Sequence, residues 1–219
     1  MEFRISKRVA NGDLTATRIK ERLQHTRLPA DPSRVDPELD GRDWPRVIQD
    51  RFAGALQPSA VLIPIVERRE GLTVLLTERA AHLKHHPGQI SFPGGRMEQS
   101  DRDLQETALR ETQEEIGVGP EHVSVAGYLA PLPTVSGYAV TPIVGLMDAN
   151  VVLQIDQREV AAAFEVPLAF LLDSANQEHS SRRYEGIEIP VIAYYYQARK
   201  IWGATAVMIA ELQKKLLLK

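Results

Sequence analysis

The feature that most constrains this chain is the passage from a short apolar strand, through a paired glycine, into a helix crowded with acids. Gln89-Ile90-Ser91-Phe92 reads as a strand and is stopped by Pro93-Gly94-Gly95. From Asp103 to Ile116 the apolar positions Leu104, Ala108 and Ile116 recur at helical spacing, with charge between them, and Gly117 is placed as the C-cap. On that helix Glu111 is three residues from Glu114 and four from Glu115. The three carboxylates therefore leave one side of the helix. Like charges so spaced repel unless a cation sits among them, and an oxygen-only set suits Mg2+ or Mn2+. Arg110 stands beside them as a fork that can orient one carboxylate. Alternatively, such a face is a solvated one paired with lysine or arginine, the commoner fate of an acidic cluster.

The rest of the chain supplies a mixed sheet. Residues 60–66 and 72–77 are short, β-branched and apolar, and are separated by the charged turn 67–71, a β-hairpin signal. Further strands are predicted at 123–129, 141–146 and 188–197, a short helix or its lead-in at 159–164, another at 168–172, and a closing amphipathic helix at 204–218. The first 57 residues read as an N-terminal helical arm and connector. In it, Asp13-Leu14-Thr15 caps a helix running to Gln24, a Pro- and Asp-rich stretch follows, and a second short helix covers 46–56. The domain assignment is thus 1–57 for the arm and 58–219 for an α/β (mixed α+β sheet) domain.

Composition narrows the function classes. A formal charge of −3 argues against a broad nucleic-acid surface. With no cysteine there is no disulfide frame, no thiolate zinc site and no thiol nucleophile. The N-terminus lacks the apolar run of a secretory signal, and no stretch reaches the ~20 apolar residues of a membrane span. The expectation is a cytoplasmic enzyme with no nucleic-acid or membrane partner.

Arg110-Glu111-x-x-Glu114-Glu115-x-Gly117-Val118 resembles the second half of the Nudix box, G-x5-E-x7-R-E-U-x-E-E-x-G-U. Two positions depart from it. Arg102 stands where the pattern has its first Glu, with Asp101 the nearest acid, and Thr112 occupies an aliphatic position. The resemblance implies the Nudix α/β/α sandwich with an N-terminal helical extension, and metal-dependent hydrolysis of a pyrophosphate bond. It makes Glu111 and Glu115 the principal metal ligands, assisted by Glu114 and the Gly95 carbonyl. Glu111 or Glu159 is the candidate general base, and Arg110 joins them in the catalytic set.

The residues upstream, Leu75 through Gly95, resemble the signature L-L-T-x-R-S-x3-R-x3-G-x-V-x-F-P-G-G of the coenzyme A pyrophosphatase branch. Ala80, Lys84 and Ile90 replace its Ser, Arg and Val. That likeness implies CoA as the small-molecule substrate, cleaved to 4′-phosphopantetheine and adenosine 3′,5′-bisphosphate. Arg79, Lys84, His85, Gly94 and Arg96 are then the substrate-binding candidates, Lys84 keeping charge but not the arginine fork. His82-Leu83-Lys84-His85-His86 also raises zinc, but adjacent histidines on an extended chain point to opposite sides. Other nucleoside diphosphate substrates (ADP-ribose, NADH, dNTPs) and a non-catalytic nucleotide-sensing module are the alternatives. A homodimer formed through the arm is a further expectation.

Overall fold

The computed structural model describes residues 14–35 and 46–217. Expectations that fall on Asp13, on 36–45 or on Leu218 lie outside them. Strand β1 (Gln57–Arg68) turns through Arg69 and Glu70 into β2 (Gly71–Arg79), with Arg68 paired to Gly71. This is the hairpin read from the alternating charge and β-branched runs. The free edge of β2 takes β8 (Val160–Pro167), while the edge that β1 leaves beyond Val74 takes β3 (Ile90–Ser91), so that Thr77 stands between Ala163 and Ser91. On its other edge β1 runs parallel to β7 (Tyr138–Met147), which also pairs with β5 (Val123–Tyr128) and β6 (Leu132–Pro133). The start of β1 pairs with β4 (Gly94–Arg96), so eight strands form one mixed sheet.

Alternation along β1 sorts the layers. Ala60 and Leu62 point to one face, where they meet Leu104 and Ala108 of helix α3 (Leu104–Ile116). Ile63 and Ile65 point to the other, into a larger core with helix α5 (Ala204–Leu217). The same core receives Ile19 and Leu23 from α1 (Ala16–Leu23), whose N-cap is Thr15. Just past α1, the Thr26 hydroxyl accepts the Tyr128 N–H of β5 at 2.8 Å. The N-terminal segment thus contributes apolar side chains to the main core. Helix α2 (Arg46–Phe52) stops short of the residue-56 end read from sequence, and Phe52 packs with Leu56 and Ala139.

Two readings are corrected. Residues 159–164 are not a helix: Val160 to Pro167 is a strand, zipped to β2 from Thr73 to Arg79. Its alanines favour a helix locally, but the open β2 edge supplies ladder hydrogen bonds that override a weak propensity. A second, three-stranded sheet also forms, from β9 (Gln177–Tyr184), β10 (Ile187–Tyr196) and β11 (Arg199–Trp202), where only one strand was predicted. Of the rest, α4 (Leu168–Leu171) is one helical turn.

Leu23 is fully buried in the main core. Leu23→Ala should therefore cost about 2–5 kcal/mol of folding stability, the range for a truncated core leucine. Urea unfolding of the two proteins measures it, and a difference under ~0.5 kcal/mol would show that α1 is dispensable to the core.

Candidate functional site

The site is assembled from the loop after β3, helix α3 and the segment leading into β8. Asp103 caps α3 by accepting the Glu106 N–H at 2.9 Å, and Glu106 reaches back to the Arg102 N–H at 2.7 Å. The pair satisfies the Glu106 donor that the helix start leaves unpaired and ties the residue before the cap to the first turn. At the other end Gly117 has φ 72°, the left-handed value that ends helices on glycine. Gln154 and Asp156 then donate their N–H groups to the carbonyls of Ile116 (2.8 Å) and Glu115 (3.0 Å). That docking delivers Glu159 to the C-terminal part of α3. Ala80 N–H holds the Glu159 carbonyl at 2.8 Å, and His82 Nε2 lies 3.0 Å from the Arg158 carbonyl.

Arg110 organises the inner face. Its guanidinium donates to both oxygens of Asp101, at 2.9 and 3.1 Å, and to the Arg96 carbonyl at 3.1 Å. It also lies 3.0 Å from Glu111 and 3.1 Å from Glu114. Asp101 is buried and accepts further hydrogen bonds from the Glu98 N–H and the Thr107 hydroxyl. The Arg110 hydrogen bond is the main reason its carboxyl falls from 3.8 to about 2. Asp101 is thus the acid that the box pattern lacks at Arg102, which instead is exposed and pairs with Glu106. The signal was its position nine residues before Arg110. Thr112, at the aliphatic position, is buried and spends its hydroxyl on the Ala108 carbonyl at 2.6 Å.

Glu111 presses against Gly95. A Cβ placed on residue 95 would lie 2.5 Å from the Glu111 carboxylate, so only glycine admits this approach. Glu115 is 4% exposed. Burial pushes its carboxyl up to about 8; Arg79 opposes the rise, Glu111 and Glu159 add to it, and the Gly94 N–H opposes it by hydrogen bonding. Glu111 is also raised, chiefly by burial, with Arg110 opposing and Glu114 and Glu159 adding. Glu115 Oε2 and Arg79 Nε are buried without a hydrogen-bond partner.

The structure therefore groups Gly94, Gly95, Glu111, Glu115, Glu159 and Arg79. Glu114 is largely exposed and tied to Arg110 at the margin. Lys84 and His85 are exposed on the loop between β2 and β3 and are not among the groups acting on Glu111 or Glu115. Arg96 is exposed, and its carbonyl rather than its side chain takes part. Among the described residues no three acidic or imidazole side chains already converge as a cage. Arg110 and the Gly94 N–H hold the nearest two separately. The donor set nonetheless fits a hard divalent cation: carboxylate oxygens only, one of them buried without a partner, beside a glycine backbone.

Residues 56–184 match the pattern of the NUDIX domain. Over 164 residues the chain is 44% identical to the "Uncharacterized Nudix hydrolase NudL" of Yersinia pestis (strain Pestoides F), covering 75% of this chain and 82% of that protein. The NudL protein of Yersinia pseudotuberculosis serotype O:1b (strain IP 31758) gives the same figures. Among solved structures, a C. elegans Ap4A hydrolase binary complex aligns with TM-score 0.44 at 18% identity, over 50% of this chain and 80% of that one. RenU, a Nudix hydrolase from M. Smegmatis, aligns with TM-score 0.45 at 22% identity, over 52% and 73%.

The Asp101–Arg110 pair gives a pH prediction. A carboxyl depressed on folding adds stability above its unfolded value of about 4, and that stability is lost as pH falls toward the folded value of about 2. Between these limits the native protein should lose about 2 kcal/mol more than Asp101→Asn. Urea midpoints that fall in parallel for both proteins would refute it.

Proposed function

We propose, from the premise that this chain belongs to the Nudix family, that it hydrolyses the diphosphate of coenzyme A or a CoA derivative. Nudix hydrolases act on acid anhydrides in small diphosphate substrates and generally use divalent metal ions such as Mg2+ or Mn2+. The observation that carries the finer reading is Arg79 set beside buried Glu115 at the Gly94–Gly95 loop. It joins the upstream signature and the acidic helix in one site.

Glu111 and Glu115 would hold the cation, with the Gly95 carbonyl beside Glu111 and Glu114 at the margin. When bound, the metal neutralises phosphate oxygens and makes an attacking water more acidic. Arg79, with its Nε free inside the site, pairs with a diphosphate oxygen and places the substrate. The backbone of Gly94 and Gly95 leaves room for the substrate to approach. Glu159 takes the proton from water at its carboxylate, as it lies close enough to act on the charge of both Glu111 and Glu115 and its backbone is held by the Ala80 N–H. Water adds to one phosphorus, the bridging oxygen leaves with its electron pair, and the products are 4′-phosphopantetheine and adenosine 3′,5′-bisphosphate. Lys84, His85 and Arg96, all exposed, are the further side chains that this reading assigns to the substrate's phosphates. The same reading includes a cytoplasmic protein and a homodimer. A monomer mass in sedimentation of the intact chain would remove the dimer.

Glu115→Gln should lower turnover of CoA at least ~100-fold, as loss of a ligand to a catalytic metal does, with circular dichroism unchanged. Retained activity in the folded variant would refute the role of Glu115. In a panel of CoA, ADP-ribose, NADH and dNTPs, CoA should be cleaved fastest; faster cleavage of another diphosphate would keep the chemistry and discard this substrate.

A further inference from the structure

The three-stranded sheet carries an aromatic and basic surface that the catalytic reading leaves unused. Directly paired residues of antiparallel strands share a face, and neighbours along a strand alternate. The pairs Ala193–Trp202, Tyr195–Lys200 and Ile189–Arg182 therefore place Trp202, Lys200, Tyr195 and Arg182 on one side. The other side is spent on the protein itself: Tyr194 and Ile201 are fully buried in the main core. Arg199, also on that side, lies 4.2 Å over the Phe164 ring and 3.6 Å from Glu78.

On the first side, the Arg182 guanidinium sits 4.9 Å from the Trp202 ring centre, and Lys200 Nζ lies 5.9 Å from Trp202 and 5.5 Å from Tyr195. Arg182 and Lys200 are exposed, and Tyr195 is 47% exposed. Among the described residues neither cation is ion-paired with a carboxylate; Glu178 shares the face, two strands from Trp202. Two unneutralised cations held over an indole make a surface that suits a planar base bearing phosphate.

The place of this face fits the catalytic site. At one end, Trp202 leads through Gly203 to Thr205, whose hydroxyl donates to the Ile90 carbonyl of β3 at 3.0 Å. At the other, Ile187 and Ile189 pack against the small cluster of Phe52, Leu56 and Ala139. Ala139 pairs with Pro58, and the Pro58 carbonyl accepts the Met97 N–H just beyond β4. The face is therefore tied at its two ends to β3 and β4, the strands on either side of the Pro93-Gly94 loop.

We infer that Trp202, with Arg182 and Lys200, forms the subsite for the 3′-phosphorylated adenosine end of the substrate. The adenine stacks on the indole and the two cations turn from the ring to the phosphate. This assignment rests on the CoA reading for its choice of nucleotide, and is tested apart from turnover. The sequence holds two tryptophans, Trp44 and Trp202. In a Trp44→Phe background the fluorescence of Trp202 alone is followed while adenosine 3′,5′-bisphosphate is added without metal. Saturable quenching is expected, with adenosine binding at least ~10-fold more weakly, as loss of charge-assisted hydrogen bonds to phosphate implies. Arg182→Gln/Lys200→Gln should weaken the bisphosphate by a similar factor and leave adenosine little changed. No saturable quenching, or bisphosphate binding in the double variant as tight as in the native protein, overturns the subsite. If the native enzyme cleaves CoA but Trp202 does not respond, only the subsite fails; if Trp202 responds but CoA is not cleaved, only the substrate reading fails.

Discussion

Arg110 is the cation on which the local structure depends. An α-helix that carries Glu106, Glu111, Glu114 and Glu115 accumulates repulsion along its length. Arg110 answers it from within the same helix, and its fork reaches further than its neighbours. By gripping both oxygens of Asp101 and the carbonyl of Arg96, it fastens the loop that precedes the helix onto the helix itself. The position of Gly95 against Glu111 follows from that attachment, because Arg96 is the next residue. A lysine at 110 would keep the charge and lose the shape. The contact between glycine loop and acidic helix is thus set by planar hydrogen bonding more than by net charge.

The price of this arrangement is visible at Glu115. A carboxylate nearly excluded from solvent, with one oxygen unpartnered and two more acids nearby, costs folding energy. The chain recovers it elsewhere, in a parallel β1–β7 ladder that is buried along most of its length and in a core fed by α1, α5 and both sheets. Such a local conflict within an otherwise consistent fold is the expected mark of a working site. Arg79, at the end of β2, is its counterpart: a guanidinium whose Nε is buried unpartnered, close enough to Glu115 to act on its charge.

How much of this the sequence discloses depends on how local each determinant is. The β1–β2 hairpin, α3 with its Gly117 stop, and α5 are written in periodicity and turn residues, and they form close to where the pattern puts them. β8 is not, because its alanine run is ambiguous and the edge of β2 decides the outcome. β9 escaped because Glu178, His179, Ser180, Ser181, Arg182 and Arg183 are all exposed, which leaves no apolar alternation to read. β11 escaped because it is only four residues long. In the site, the spacing of Glu111, Glu114 and Glu115 was legible, whereas the sorting of Glu114 to the margin depends on which way Arg110 turns. Asp101 was visible only as a misplaced acid, and its role needs the loop geometry. The seating of Glu159 depends on Gln154 and Asp156 docking on the helix end, a contact between segments some forty residues apart that no local pattern encodes.

The account turns on Glu111 and Glu115 serving together as oxygen ligands of a divalent cation, and Mn2+ binding reads that without any substrate. Electron paramagnetic resonance of free Mn2+ titrated with the intact chain should show saturable binding. Glu111→Gln and Glu115→Gln, each folded by circular dichroism, should each weaken it at least ~10-fold. Binding of equal strength in both variants and the native chain would contradict the account, since the Glu111 and Glu115 carboxylates beside the Gly94–Gly95 backbone would then not be what holds the metal.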